Sequence, residues 1–180
     1  YELAPSFVEG NLAVDQNLQL MDVMKLVAEK HGFAVLLHEK PFEGVNGSGK
    51  HLNWSMMDSD GNNLFEPGAA PKRNVQFLVF LSAMLIGVNQ FSGLLRAAVA
   101  DAGNDHRLGA NEAPPAIMSV YLGGYIKEVL DAIAEGKDIA DVEKASLDIR
   151  AKHVPGVELD TTDRNRTSPV AFTGNKFEFR

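Results

Sequence analysis

Carboxylates, arginines and a histidine recur in short polar segments of this sequence, which contains no cysteine. Carboxylates with one imidazole form an oxygen-rich ligand set that favours Mg²⁺ or Mn²⁺ over structural zinc. Several arginines in a chain of net charge −7 indicate recognition of a carboxylate or phosphate, which the planar guanidinium binds with two hydrogen bonds. A metal with arginines is typical of phosphoryl transfer, so these residue types predict metal-dependent phosphoryl chemistry. The residues are Glu2, Asn46, Gly47, His51, Arg107, Glu112, Arg164, Arg166, Lys176, Glu178 and Arg180.

A glycine-rich segment with Gly44, Gly47 and Gly49 comes directly before Lys50 and His51. Glycine tolerates positive φ and lets a ligand approach the backbone, so we favour a ligand-binding loop over a plain hairpin connection. The spacing Gly-x-x-x-x-Gly-Lys also fits most of a P-loop. That motif needs Ser or Thr next and then a helix, whereas His51 and a strand-like segment follow here. The sequence therefore excludes a P-loop.

Composition sets the class of protein. A length of 180 residues with 45% hydrophobic residues suffices for one domain with its own core. The net charge of −7 and a pI near 5.2 argue against nucleic acid or an anionic membrane as the main partner. The sequence contains no uninterrupted apolar run of about 18 residues, the length that a membrane span needs. We expect no nucleic-acid or membrane partner.

The first half of the chain predicts one helix, one strand and one loop. A helix is expected over about residues 15–31, ended by Gly32 in a left-handed conformation. Residues 33–37 are apolar throughout and predict a strand that is buried on both faces. Residues 58–71 are rich in Asn, Gly and Pro and predict a hairpin or surface loop. The residues that recur at three- and four-residue spacing are Leu18, Met21, Met24, Val27 and His31.

Two further helices are predicted from apolar patterning. One runs from about residue 74 to 87, with a second piece through Val99, and apolar residues around most of its circumference predict deep burial. Pro114-Pro115 suits the first turn of the other, which continues to about residue 134 with a weak point at Gly123-Gly124.

The last third of the chain predicts a peripheral element and a strand. Residues 135–155 are charged and poor in large apolar residues, which indicates a peripheral helix or long loop that is an insertion in the domain. The alternating run at the end reads as a strand cut in its middle, so we expect an internal fragment of a longer protein. One face of that strand carries Lys176, Glu178 and Arg180, and the other carries Phe177 and Phe179.

Five separated motifs occur in the order that glutamine synthetases show, and the sequence resembles that family. The segments His38-Glu-Lys-Pro-Phe42 and Asn53-Trp-Ser55 resemble its type III branch in particular. The motifs are Tyr1-Glu-Leu-Ala-Pro5, Asn46-Gly-Ser-Gly-Lys-His51, Arg107-Leu-Gly-Ala-Asn-Glu-Ala-Pro-Pro115, Arg164-Asn-Arg166 and Glu178-Phe-Arg180.

The resemblance implies an ATP-dependent ligase that joins ammonia to the γ-carboxylate of glutamate through γ-glutamyl phosphate, with two Mg²⁺ or Mn²⁺ ions per site. Glu2 matches a ligand of the ion beside glutamate, and His51 and Glu178 match ligands of the ion beside the ATP phosphates. Metal ions are needed because the transfer brings anions together.

The resemblance also implies roles for the remaining site residues. Glu112 matches the glutamate of a flap that excludes water and helps to deprotonate ammonium. The substrate-binding matches are Asn46, Gly47 and Arg107. The matches for stabilising the phosphoryl group are Arg166 and Arg180. The nucleotide-binding matches are Asn53, Ser55 and Lys176.

The family further implies an α+β catalytic domain of antiparallel strands in a half-barrel backed by helices, in a cytoplasmic homo-oligomer of stacked rings. Residues 1–180 would be the central part of that domain, without the small N-terminal domain and the C-terminal remainder. The segment between Arg166 and Lys176 is shorter than in the bacterial type I pattern. One arginine of that pattern has no evident counterpart, so the phosphate-binding set differs.

Two alternatives stay open. A related ligase would join glutamate to an amine such as a polyamine, and Arg107 and Glu112 do not exclude it. A regulatory or scaffold homologue would keep the fold without catalysis, although the presence of Glu2, His51 and Glu178 weighs against this reading.

We expect the 180 residues by themselves not to synthesise glutamine. Glu2 would lack its partner carboxylates, and an incomplete oxygen shell binds Mg²⁺ weakly because that ion gives up its waters reluctantly. The measurement is γ-glutamyl hydroxamate formation with ATP, glutamate, hydroxylamine and Mg²⁺ or Mn²⁺. Turnover clearly above that of a His51→Ala control would contradict this expectation.

Overall fold

The computed structural model describes six short β-strands and four α-helices. The described residues are 3–38, 41–45, 49–102, 117–143 and 168–180, with the backbone of two strands between the last two segments. The strands are β1 (Leu52–Trp54), β2 (Val120–Tyr121), β3 (Ser146–Leu147), β4 (Val157–Glu158), β5 (Val170–Phe172) and β6 (Phe177–Phe179). The helices are α1 (Gly10–Lys30), α2 (Val75–Gln90), α3 (Ser92–Val99) and α4 (Gly124–Ala134).

The main sheet has the strand order β1-β6-β5-β2. Strands β5 and β6 form a hairpin whose turn contains Gly174 at φ +99°, a conformation that glycine adopts without strain. Strand β1 pairs antiparallel with β6, whereas β2 runs parallel to β5. The α+β class is confirmed, and so is antiparallel pairing for β1, β6 and β5. The parallel pair was not predicted, and closure into a half-barrel stays a prediction. Strands β3 and β4 pair separately and antiparallel.

Helix α1 confirms the first predicted helix but begins earlier, at Gly10. The Glu9 carboxylate caps it by accepting the backbone N–H groups of Asn11 and Leu12 at 3.0 and 3.3 Å. Gly32 follows the helix at φ +72° and confirms the predicted left-handed ending. Within the described residues α1 has no buried side chain, so none of the positions that its periodicity identified is buried, although Met21 and Met24 are partly covered.

Helices α2 and α3 confirm the second predicted helix and its continuation. Asn74 caps α2 by accepting the Phe77 N–H at 3.0 Å, and the chain bends at Phe91 before α3 begins. The predicted deep burial holds for one face only: Phe77, Leu81 and Val88 are buried, whereas Val75, Val79 and Ile86 are exposed. No single described helix is long and apolar enough to cross a membrane. By length and composition alone, α2 and α3 pass that test together, with a bend of 69° between them.

Helix α4 begins at Gly124, later than predicted. Its N-cap is Gly123 at φ +80°, and a residue in that conformation cannot continue a right-handed helix from the preceding segment. The residues before it form β2 instead, so the prediction of helix over residues 117–123 is wrong. Pro114-Pro115 lies outside the described residues.

The predicted strand over residues 33–37 is wrong. These residues are irregular, and Phe33 is 73% exposed. A strand buried on both faces needs neighbours on both edges, and none of the described strands pairs with this segment. Of the predicted peripheral element over 135–155, the structure describes a 3₁₀ turn at Ile139–Asp141 and the two residues of β3.

A cluster of aromatic rings forms the centre of the core beneath the sheet. Phe65 and Phe177 are fully buried and meet edge to face with ring centres 5.0 Å apart, and Trp54 stacks on Phe177 at 5.7 Å. Phe172 joins this cluster to Phe77 of α2, also with ring centres 5.7 Å apart. Such pairs contribute about 0.5–1.5 kcal/mol each beyond the burial of their area.

The turn after β1 presents Phe65 to this core and confirms the predicted surface loop. The Asp58 carboxylate accepts hydrogen bonds from the backbone and side chain of Asn62 at 2.8 and 2.9 Å, and these bonds hold the Asp58 pKa below its ordinary value. Asn63 forms a bridge with Met57, and its side chain donates to the Asn175 carbonyl of the β5–β6 turn at 2.7 Å. The loop is therefore fastened to the hairpin.

Replacing Phe65 by Ala should destabilise the 180-residue chain by about 3–5 kcal/mol, because the change leaves a cavity among packed rings. The free energy of unfolding from urea titration measures this. Phe7→Ala is the matched control: Phe7 is 99% exposed, and the change should move the free energy by at most about 0.5 kcal/mol. Equal effects of the two substitutions would contradict the assignment of Phe65 to the core.

Candidate functional site

One face of the β1–β6 pair collects all six predicted site residues that the structure describes. In the antiparallel register Asn53 lies opposite Glu178, while Trp54 and Leu52 lie opposite Phe177 and Phe179. Side chains alternate between the faces of a strand, so the aromatic residues face the core and the polar ones face away from it. Continuing the register by one residue pair at each end places His51, Ser55, Lys176 and Arg180 on the same face as Asn53 and Glu178. The polar face carries His51, Asn53, Ser55, Lys176, Glu178 and Arg180.

His51 and Glu178 meet across the two strands. The His51 Nδ1 atom lies 2.6 Å from Glu178 Oε1, and each side chain is 16% exposed. The contact joins the end of the glycine-rich segment to the last strand of the chain. The structure thus brings together the two residues that were predicted to bind the same metal ion.

Arg180 holds the other oxygen of the same carboxylate. Its Nε and Nη2 atoms donate to Glu178 Oε2 at 3.3 and 3.1 Å, and its Nη1 atom donates to the Ser168 carbonyl at 3.3 Å. Arg180 is 5% exposed overall and is the one buried charged residue among those described. In this arrangement the guanidinium faces Glu178 and the backbone rather than an open surface.

The His51–Glu178 pair fits a divalent ion. Two neighbouring ligands of an octahedral ion at about 2.0–2.1 Å stand about 2.9 Å apart, close to the observed separation of the two donor atoms. An ion would replace their direct contact with little movement of either strand. The described residues contain no group of three or more acidic, histidine or cysteine side chains that could hold a metal. Glu2, the third predicted ligand, lies outside them.

The predicted nucleotide-binding residues lie along the same face, toward the β5–β6 turn. Asn53 is exposed opposite Glu178, and the continued register puts exposed Ser55 opposite half-buried Lys176. Lys176 is the last residue before β6, and its carbonyl closes the turn by accepting the Thr173 N–H at 2.9 Å. These three side chains form an open polar surface beside the His51–Glu178 pair.

The other predicted site residues lie outside the described residues, so their roles stay predictions. The exclusion of a P-loop is confirmed, because strand β1 and not a helix follows His51. The undescribed members are Glu2, Asn46, Gly47, Arg107, Glu112, Arg164 and Arg166.

Two residues near the site, Tyr121 and Ser168, were not predicted. Tyr121 pairs with Ala171, and Ala171 pairs with Glu178, so Tyr121 shares the polar face two strands away from Glu178. The alternation of apolar and polar residues around β2 could have revealed Tyr121, but the segment was interpreted as a helix. Ser168, which binds Arg180 through its carbonyl, stands before a proline at the start of β5, a typical position for a strand boundary.

A cavity of about 410 Å³ lies elsewhere, lined by residues that include Lys72, Arg73 and Tyr125. It contains none of the predicted site residues. Lys72 donates to the carbonyls of Ala140 and Val142 at 2.8 and 3.0 Å, so its ammonium ties two parts of the chain together. The chemistry of the cavity gives no reason to prefer it over the β1–β6 face.

Comparison with known proteins shows which family the chain is similar to. Residues 1–101 match the family model "Glutamine synthetase, catalytic domain". The chain is 53% identical over 180 residues to "Type-3 glutamine synthetase" of Dictyostelium discoideum and 55% identical over 183 residues to "Glutamine synthetase" of Bacteroides fragilis. Each alignment covers 100% of this chain and 24% or 25% of the relative. A "Glutamine synthetase" of Thermotoga maritima is 36% identical over 74 residues, 37% of this chain and 17% of that protein. The chain spans about a quarter of the length of the first two relatives.

Proposed function

The chain belongs to the glutamine synthetase catalytic-domain family, and from this premise we propose that the whole protein makes glutamine from glutamate, ammonia and ATP. The match to type-3 relatives over the whole chain confirms the resemblance stated from the motifs. The reaction proposed is attack of the glutamate γ-carboxylate on the ATP γ-phosphate, followed by displacement of phosphate from γ-glutamyl phosphate by ammonia. ADP and phosphate are the other products.

The observation that carries this proposal is the contact between His51 and Glu178. Two residues from distant parts of the chain converge with donor atoms 2.6 Å apart, on the positions where the family resemblance implies two ligands of one metal ion. Histidine and glutamate side chains that share no role have no need to lie this close together. The polar face around the pair also carries Asn53, Ser55 and Lys176, which supports a nucleotide beside the ion.

His51 and Glu178 would hold Mg²⁺ or Mn²⁺ through one nitrogen and one carboxylate oxygen. When bound, the ion neutralises negative charge on the ATP phosphates as they approach the glutamate carboxylate. Glu2 would contribute to a second ion on the glutamate side. These assignments give two ions per site.

The remaining residues are proposed to bind and protect the reactants. Arg107, with Asn46 and Gly47, would bind glutamate, and Arg166 and Arg180 would stabilise the transferring phosphoryl group. Glu112 would cover the acyl phosphate, exclude water and accept a proton from ammonium. Exclusion of water is required because an acyl phosphate is readily hydrolysed.

We also propose a cytoplasmic homo-oligomer, without nucleic acid or membrane as a partner. The location follows from the substrates, since ATP and glutamate are abundant in the cytoplasm. Exposed apolar residues on α1 support subunit or domain contacts, because a helix without a buried side chain gains stability when another surface packs on it. The negative net charge supports the exclusion of nucleic acid.

The choice of amine tests the reaction. The full-length enzyme should form glutamine with ammonia and should use polyamines far less well. The measurement compares kcat/KM for ammonia and for a polyamine such as putrescine, by ADP release with glutamate and ATP saturating. A higher kcat/KM for the polyamine would replace this proposal with a γ-glutamylpolyamine ligase.

Replacing Glu178 by Ala in the full-length enzyme should lower metal-dependent glutamine formation by about 100-fold or more, because the ion beside the phosphates loses a ligand. Glu135→Ala is the matched control, since Glu135 is an exposed carboxylate paired with Lys137 on the surface. Unchanged turnover in Glu178→Ala would contradict the role of Glu178 as a metal ligand, whereas a full-length wild-type protein with no turnover would favour the non-catalytic homologue.

A further inference from the structure

We propose that Arg180 makes Glu178 a one-oxygen metal ligand and that this arrangement selects small octahedral ions such as Mg²⁺ and Mn²⁺ over Ca²⁺. The inference deepens the proposed function and rests on it, because it takes His51 and Glu178 as ligands of one ion. It assigns Arg180 a positioning role.

The two oxygens of Glu178 have different partners. Oε2 accepts hydrogen bonds from both Nε and Nη2 of Arg180, at 3.3 and 3.1 Å. A carboxylate oxygen offers about two lone-pair directions, so these bonds occupy Oε2. Oε1 faces His51 Nδ1 at 2.6 Å. An ion at the His51–Glu178 pair therefore meets Oε1 alone.

Arg180 is itself fixed in place. Its side chain is 3% exposed, and Nη1 donates to the Ser168 carbonyl at 3.3 Å. Its backbone N–H donates to the carbonyl of fully buried Pro169 at 2.8 Å, which anchors the end of β6 beside β5. Releasing Oε2 to a metal would break two hydrogen bonds of a buried guanidinium, and hydrogen bonds lost by a charged group inside a protein are costly.

This restriction affects ions differently. Ca²⁺ takes six to eight oxygens and commonly binds both oxygens of a carboxylate at about 2.3–2.6 Å. Mg²⁺ requires six ligands at about 2.0–2.1 Å and keeps several waters, so one carboxylate oxygen suffices. A carboxylate that presents only Oε1 thus offers Ca²⁺ one oxygen ligand fewer than that ion commonly takes from a carboxylate, whereas Mg²⁺ loses no ligand.

The experiment measures ion competition in the full-length protein without nucleotide. Mn²⁺ bound at the site that Glu178→Ala abolishes is followed by electron paramagnetic resonance and displaced by Mg²⁺ or by Ca²⁺. In Arg180→Lys and Arg180→Gln the ratio of Ca²⁺ to Mg²⁺ affinity should rise about tenfold or more, in keeping with the 10- to 100-fold effects of partners that orient metal ligands. Lys127→Gln, which removes an exposed cation paired with Asp131, should leave the ratio unchanged.

The outcomes separate the inference from the proposed function. A folded Arg180 variant with an unchanged ratio overturns the inference, and so does an equal weakening of all ions, which would indicate a purely structural role. Unchanged Mn²⁺ binding in His51→Ala would instead overturn the metal site itself. Circular dichroism reports whether each variant folds, and Arg180→Lys keeps the buried positive charge.

If both Arg180 variants unfold, the coordination of Glu178 can still be measured in the protein that retains Arg180. The infrared difference spectrum of Mg²⁺ binding, wild type minus Glu178→Ala, should show the wide separation of the two carboxylate stretching bands that one-oxygen coordination produces. A narrow separation, typical of two-oxygen coordination, would overturn the inference.

Discussion

Strands β1 and β6 pair so that Leu52, Asn53 and Trp54 lie opposite Phe179, Glu178 and Phe177. Both the core and the candidate site depend on this register, because side chains on the two strands alternate between the faces with a period of two residues. A shift of β6 by one residue would turn Glu178 toward the aromatic core and Phe177 toward solvent, and a shift of β1 would turn Trp54 away from the core. Burial of the rings therefore holds the polar residues in position. The core and the site are two faces of the same pairing.

His51, Glu178 and Arg180 are linked in one chain of contacts on the polar face. Arg180 is buried and Glu178 is largely buried, so their pairing matters more than a surface ion pair would. Removing one partner of a buried pair typically costs about 3–5 kcal/mol, because the other charge is left without compensation. The value is comparable to the loss of a core phenylalanine, about 3–5 kcal/mol. Loss of either Glu178 or Arg180 would therefore destabilise β6 as well as alter the site.

Structural features that depend on residues nearby in the sequence could be predicted, whereas features that depend on contacts with distant parts of the chain could not. The alternation around Glu178 predicted its face, and Gly32 predicted the end of α1. Residues 33–37 have the composition of a buried strand, but composition does not supply the neighbouring strands that such burial requires. Phe65 lies in a polar turn segment, and its burial follows from the fastening of that turn to the β5–β6 hairpin. The motifs identified His51 and Glu178 one by one, whereas their contact is a property of the folded sheet.

The 180-residue chain carries a net charge of −7, yet the substrates proposed for it, ATP and glutamate, are anions. Positive charge must therefore be concentrated at the site against the overall field. On the described part of the polar face the guanidinium of Arg180 is already engaged by Glu178, and its pairing removes much of the field that it would exert on a phosphate. Lys176 is only half-buried and partly screened by solvent. A divalent ion at His51 and Glu178 would then be the largest local positive charge, which is why metal binding and phosphate binding are expected to be coupled on this face.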